Sequence, residues 1–227
     1  DINLLDLEEI HLDNNNLHLT NMLIYDNCLK IFETKSKTIF LGGDHSITYS
    51  IGKAFLKNCS KIGKKPCLIV FDAHPDCMRS VDYKFPTHKE WLRALVESGF
   101  SPEDIFLVGT RNSDPSEIEF LKKHHIKIIC MNQLTEDIED SCDILMEFSK
   151  GKELYVSIDI DVVDPAFAPG TGHKEPGGLT SRQFLYLIQR LNKVKDIKAF
   201  DIVEINPEKD LEGLTVKLGA KILSEII

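Results

Sequence analysis

Six short runs of nearly continuous apolar residues, at 38–41, 67–71, 105–108, 127–131, 154–158 and 199–203, constrain this chain more than any other feature. They are rich in β-branched and aromatic side chains, so each reads as a strand covered on both faces. Longer amphipathic stretches lie between them, at 17–32, 47–57, 90–98, 115–124, 138–148, 181–191 and 214–227. Helix-start chemistry supports these boundaries. Ser101-Pro102-Glu103-Asp104 opens a turn, and Thr180-Ser181 precedes Gln183. Strands alternating with helices in this way predict an α/β fold, with a parallel sheet and crossover helices on both faces. The 227 residues read as one domain over 1–227, without repeats or a flexible linker. Residues 165–178 form the one dense turn region, and it reads as a functional loop within that domain.

Composition removes several classes of function. With 42% hydrophobic and 28% charged residues the chain is ordinary globular material. Its longest apolar stretches are far too short to span a bilayer, and no signal peptide is visible at the amino end. The expectation is a cytoplasmic protein without a membrane partner. A net charge of −9 argues against a nucleic-acid partner, which would need a clustered cationic face. The six cysteines (Cys28, Cys59, Cys67, Cys77, Cys130 and Cys142) form no C-x-x-C pair and read as free thiols.

In an open parallel sheet, ligands bind beyond the carboxyl ends of the strands, so the residues just after each apolar run matter most. The first run leads into Gly42-Gly43-Asp44-His45-Ser46, and the second into Asp72-Ala73-His74-Pro75-Asp76. The fifth leads into Asp159-Ile160-Asp161 and then Asp164-Pro165, and the sixth into Glu204-Ile205-Asn206-Pro207. Acids gathered at one sheet edge repel one another, and a bound cation relieves that repulsion. If these segments stay extended, Asp72, His74 and Asp76 share a face, as do Asp159 and Asp161. With His45 they make four carboxylates and two imidazoles without a thiolate, a set that suits manganese, with iron, cobalt, nickel or zinc as competitors. Six ligands exceed the needs of one ion with an open position, so two ions are expected. Plainer readings exist for single residues: Asp44 or Ser46 as a helix cap, and Asp164-Pro165 as a turn.

Taken together, these motifs resemble a known family. GGDHS at 42–46, DAHPD at 72–76, SIDIDVVDPAFAPGTG at 157–172 and DIVEINPEKD at 201–210 are similar to the signatures of the ureohydrolases, which include arginase and agmatinase. The resemblance runs along nearly the whole chain, and the wording at 164–172 and 175–179 is closer to agmatinase than to arginase. It implies a three-layer α/β/α sandwich with two manganese ions. His45, Asp72, Asp76 and Asp159 would hold one ion, and His74 and Asp161 the other, with Asp72 and Asp159 shared. The implied reaction is hydrolysis of a small guanidino compound to urea and an amine, agmatine to putrescine in the agmatinase case. Asp76 would orient the attacking hydroxide, Glu204 would pair with the guanidinium, and His88 would shuttle a proton. Thr171 falls in the implied active-site loop, although it also reads as a turn residue. A homo-oligomer, trimer or hexamer, is implied as well.

The sequence also departs from the family. It opens where the family usually has an earlier strand and loop, so a missing amino-terminal segment is expected. Gly170-Thr171-Gly172-His173-Lys174 stands where GTGTP is usual, and Lys89 where glycine comes after the shuttle histidine. The loop before His88 carries Arg79 and Lys84 against the single acid Asp82. Arg79, Lys89 and Lys174 would repel a second positive charge, so a substrate with a neutral or anionic far end is expected, with Arg79 and His173 among its contacts. Arginase, a guanidino-acid amidinohydrolase and a metal-binding but catalytically silent homologue remain the alternatives.

Overall fold

The computed structural model describes residues 4–13, 15–34, 36–79 and 86–227. One sheet is built from β1 (Thr38–Leu41), β2 (Pro66–Phe71), β3 (Ile105–Thr110), β4 (Lys127–Cys130), β5 (Glu153–Asp159) and β6 (Ile197–Val203). The spatial order is β1-β6-β5-β2-β3-β4, and every pairing is parallel. The helices are α1 (Leu17–Phe32), α2 (Ile47–Ile62), α3 (Trp91–Glu97), α4 (Pro115–His124), α5 (Met131–Glu136), α6 (Ile138–Ser149), α7 (Ser181–Leu191) and α8 (Leu214–Ile226). None of these helices is long and apolar enough to cross a membrane.

Side-chain alternation splits the core into two layers. Leu68 and Val70 of β2 pack with α1 to α4, through residues such as Phe55, Trp91 and Phe120. Cys67, Ile69 and Phe71 face the other way, against α5 to α8, through Leu134, Leu145, Phe184 and Ile222. The helices change face where the chain changes its direction of travel across the sheet, as right-handed crossovers require. From β2 the chain moves outward to β3 and β4, and it then returns to β5 and β6. The carboxyl ends of β2 and β5 therefore form a topological switch point, where such sheets open a crevice.

Several limits shift, mostly by one or two residues, and two of the shifts have a clear local cause. Met131 begins α5 instead of ending β4, because its side chain turns into the core while Cys130 stays extended. A helix of six residues is too short for periodicity to reveal it. Helix α2 continues to Ile62 and stops at Gly63, whose φ of 67° supplies a left-handed cap. At α7 the expected signal holds: Thr180 and Gln183 form a reciprocal capping box.

The turn-rich segment is fastened across its base. Asp164 accepts from the amides of Ala166, Gly177 and Gly178 at 2.9, 2.7 and 3.0 Å. This is the turn role read from Asp164-Pro165, extended to grip the far end of the loop. A Cβ on Gly178 would stand 2.6 Å from the Asp164 amide nitrogen and 2.8 Å from the Val162 carbonyl oxygen. Neither backbone atom can swing aside. Gly178→Ala is therefore expected to destabilise the fold by about 1–3 kcal/mol, read as a lowered Tm. An unchanged Tm would contradict this packing.

Candidate metal centre

His45 stands between β1 and α2, and its Nδ1 lies 3.0 Å from Asp72 Oδ2, 3.1 Å from Asp76 Oδ2 and 3.3 Å from Asp159 Oδ2. Asp72 comes directly after β2, and Asp159 ends β5. Around the other Asp72 oxygen, His74 Nδ1 lies 3.5 Å from Asp72 Oδ1 and 3.0 Å from Asp161 Oδ2. Two groups thus form, His45–Asp72–Asp159 and Asp72–His74–Asp161, each with its potential ligand atoms within 4.8 Å of one another. Asp72 belongs to both. Asp159 joins only the first, and its Oδ1 accepts from the Asp161 amide at 2.8 Å.

All six expected ligands meet, although strand alternation is not what gathers them. β2 ends at Phe71, and Asp72 Oδ1 accepts from the His74 amide in a tight turn at 2.7 Å. Asp76 is carried back by a φ of 49°, a value uncommon for a residue with a Cβ. Asp161 sits in a short 3₁₀ turn, Ile160–Val162, capped by Asp159. The extended-segment argument therefore fails in its geometry, because the backbone bends as soon as each strand ends.

The electrostatics of this cluster call for positive charge. Burial, with Asp76 and Asp161 nearby, pushes Asp72 up to about 7. Burial, with Asp161 and Asp72, also raises Asp159 well above the usual carboxylate range. Burial acts to lower both imidazoles. Even so, Asp159, Asp72 and Asp76 raise His45 well above its ordinary value, and Asp161 and Asp72 lift His74 to about 12. The buried atoms His45 Nδ1 and Asp72 Oδ2 have no hydrogen-bond partner, although they lie 3.0 Å apart. Two such orphans among oxygen and nitrogen donors fit divalent cations of the manganese class.

Proton and metal compete for these groups, and the shifts set the sign. Asp72 titrates near 4 when unfolded and near 7 when folded, so between those values the folded chain holds an extra proton. That group costs stability progressively as pH rises from 4 to 7, and below 7 an incoming ion must displace its proton. Apparent Mn²⁺ affinity is expected to fall more steeply below pH 7 than above it, by about one further decade per pH unit. Equilibrium dialysis at pH 6, 7 and 8 checks this, and a constant slope would contradict it.

The remaining expected residues are placed unequally. Glu204 comes directly after β6 at a φ of 63°, and its Oε1 accepts from the His45 amide at 2.8 Å. His88 and His173 bring their rings to 5.5 Å, and His173 lies 6.0 Å from the His74 ring. His88 Nε2 and Thr171 Oγ1 are both buried without a hydrogen-bond partner. Arg79 is not brought into this group: it is 68% exposed and pairs with Glu119 of α4 at 3.4 Å. Its expected substrate contact finds no support, because an acid on the neighbouring helix takes the guanidinium. Lys89 and Lys174 are exposed, and Asp82 and Lys84 lie outside the described residues.

Several contributors carry little or no signal in the sequence. The Trp91 indole donates to Asp76 Oδ2 at 2.8 Å, and its ring lies 4.6 Å from His45. Glu175 Oε1 is 3.4 Å from His74 Nε2 and accepts from Asn112 Nδ2 at 2.7 Å. Arg111 ties the loop down by donating to the carbonyls of Asp161 and Glu175 at 2.7 and 2.6 Å. Trp91 and Arg111 have no local signal at all. Ser157 has one, since it lies two residues before Asp159 on the same face of β5; its partners are Asp201 at 2.7 Å and His45 Nε2 at 2.9 Å.

The fold and this cluster define an α/β protein with a carboxylate–imidazole centre of the kind divalent cations occupy, set at the switch point of a parallel sheet. The chain belongs to the arginase family, whose model matches residues 1–227. It is 33% identical over 212 residues to the mitochondrial arginase of Medicago truncatula, covering 92% of this chain and 60% of that protein. It is 28% identical to the agmatinase of Bacillus subtilis, covering all of this chain and 75% of that one. Among solved structures, the proclavaminate amidinohydrolase of Streptomyces clavuligerus superposes with a TM-score of 0.86 at 27% identity, over 96% of this chain and 72% of the other. The formimidoylglutamase of Bacillus subtilis gives 0.89 at 25% identity, over 97% and 70%. The chain spans 55–63% of the length of five plant arginases it matches.

Proposed function

We propose that this chain is a manganese-dependent hydrolase of small guanidino compounds, releasing urea and an amine. The observation that carries the reading is the pair of ligand groups sharing Asp72, with Glu204 bonded to the amide of His45. When bound there, two manganese ions would supply Lewis acidity and a hydrolytic nucleophile at neutral pH. Glu204 offers a carboxylate, the geometric match of a planar guanidinium. Asp76, steadied by Trp91, accepts a hydrogen bond from the attacking water and keeps it aimed at the guanidinium carbon. His88, with its Nε2 buried and unpartnered, carries the proton to the departing amine. One water is consumed, and the C–N bond to the substituted nitrogen breaks. A protonated amine and neutral urea result.

Agmatine is the first substrate to test, on the agmatinase-like wording of 164–172 and 175–179. A guanidino acid is the second reading, favoured by the exposed Lys89 and Lys174 and by the imidazole of His173 between His74 and His88. The assembled protein is proposed to be a homotrimer or hexamer. Urea release after manganese loading, measured with agmatine, arginine and 4-guanidinobutyrate, tests the function. One compound is expected to exceed the others in kcat/KM by about 100-fold or more, a difference of a few kcal/mol in transition-state binding. No urea from any of the three would support the silent homologue instead.

A further inference from the structure

Beneath the His45 group lies a buried polar chain that the reaction itself does not use. Asp201 of β6 is fully buried, yet it accepts from Ser157 Oγ at 2.7 Å, Thr48 Oγ1 at 2.9 Å, the Ile158 amide at 3.2 Å and the Tyr155 hydroxyl. All four neighbours are donors toward it, so the Asp201 carboxylate acts only as an acceptor. The consequence passes upward. Ser157 has one hydroxyl hydrogen, and Asp201 takes it. The contact between Ser157 Oγ and His45 Nε2, at 2.9 Å, must then be donated by the histidine. With its proton on Nε2, a neutral His45 has its lone pair on Nδ1, the atom that faces Asp72, Asp76 and Asp159. A lone pair set against three carboxylate oxygens is repulsive unless a proton or a metal cation lies among them.

We propose that Asp201 and Ser157 are positioning residues that lock His45 in the Nε2–H tautomer and so selectively support the cation position of the His45–Asp72–Asp159 group. This inference rests on the two-metal reading and extends it: the two positions differ in their support. On the other side, His74 turns its Nε2 toward half-buried Glu175 at 3.4 Å, a longer and wetter contact that owes nothing to Asp201. Outer partners of metal-bound histidines typically govern affinity by about 10–100-fold.

Manganese titration by calorimetry, with elemental analysis after dialysis, tests the relay on wild type, Ser157→Ala, Ser157→Thr and Asp201→Asn. Wild type is expected to hold two ions. In Ser157→Ala one ion should weaken by about 10–100-fold, while the other stays within about threefold. Ser157→Thr, which keeps a hydroxyl at the same place, should return the weakened ion to within about threefold of wild type. Equal weakening of both ions, two unchanged ions, or no recovery in the threonine variant would each overturn the relay. Should Ser157→Ala fail to fold, Asp201→Asn is read by the same criteria, since it keeps the shape and removes the charge. A wild-type protein that binds no manganese would instead sink the two-metal reading.

Discussion

Replacing Asp72 with alanine is expected to abolish tight binding of both manganese ions and to lower urea release by at least about a thousandfold. The position of the side chain explains the size. Oδ2 faces His45 at 3.0 Å, Oδ1 faces His74 at 3.5 Å, and no other described residue belongs to both ligand groups. Losing one well-aimed electrostatic stabiliser of a transition state commonly costs about 10²–10³ in rate. With Asp72, one truncation removes a donor from each of two positions. Stability should move the other way. Burial and like charges push Asp72 up to about 7, so in metal-free protein at pH 8 the carboxylate is a destabilising group whose removal raises Tm. Metal content, urea release and metal-free Tm together test the assignment. A variant that keeps both ions, or whose activity drops less than about tenfold, would refute the shared role of Asp72.

Trp91→Ala is expected to damage the fold and the centre together. The indole is fully buried in the layer formed by α1 to α4, and deleting such a side chain costs about 3–5 kcal/mol. At this chain length that is a Tm loss of roughly 10 °C. Asp76 also loses the donor that fixes its Oδ2 at 2.8 Å, and His45 loses its ring neighbour. Trp91→Phe separates the two effects. It should recover most of the stability while leaving kcat about tenfold or more below wild type, because phenylalanine fills the space without a donor. Full activity in Trp91→Phe would mean that Asp76 needs no such support.

The architecture was legible because burial on both faces writes itself as uninterrupted apolar runs, and each strand lies within two residues of its expected limits. The clustered residues were legible for a related reason. His45, Asp72, Asp159 and Glu204 all stand at or near the carboxyl end of such a run, where a parallel sheet opens its crevice. What stayed hidden depends on contacts between distant segments. Trp91 reaches Asp76 across fifteen residues, and Asp201 reaches Ser157 across forty-four. Neither distance is encoded in local spacing. Asp201 even lies inside a run that reads as plain core, where a carboxylate is tolerated only because four donors surround it. Arg79 is a different case: its charge and place suggest a substrate contact, and its nearest acid is Glu119 of α4, a contact that local spacing does not encode either.

Carboxylates and imidazoles from separate strands, held together to bind a pair of cations, are the centre of this account. Elemental analysis of manganese-loaded, desalted protein tests it most directly, with Asp72→Ala treated in parallel. About two manganese ions per wild-type chain are expected, and less than about half an ion in the variant. Wild-type protein that retains no manganese, or a variant that retains as much as wild type, would contradict it.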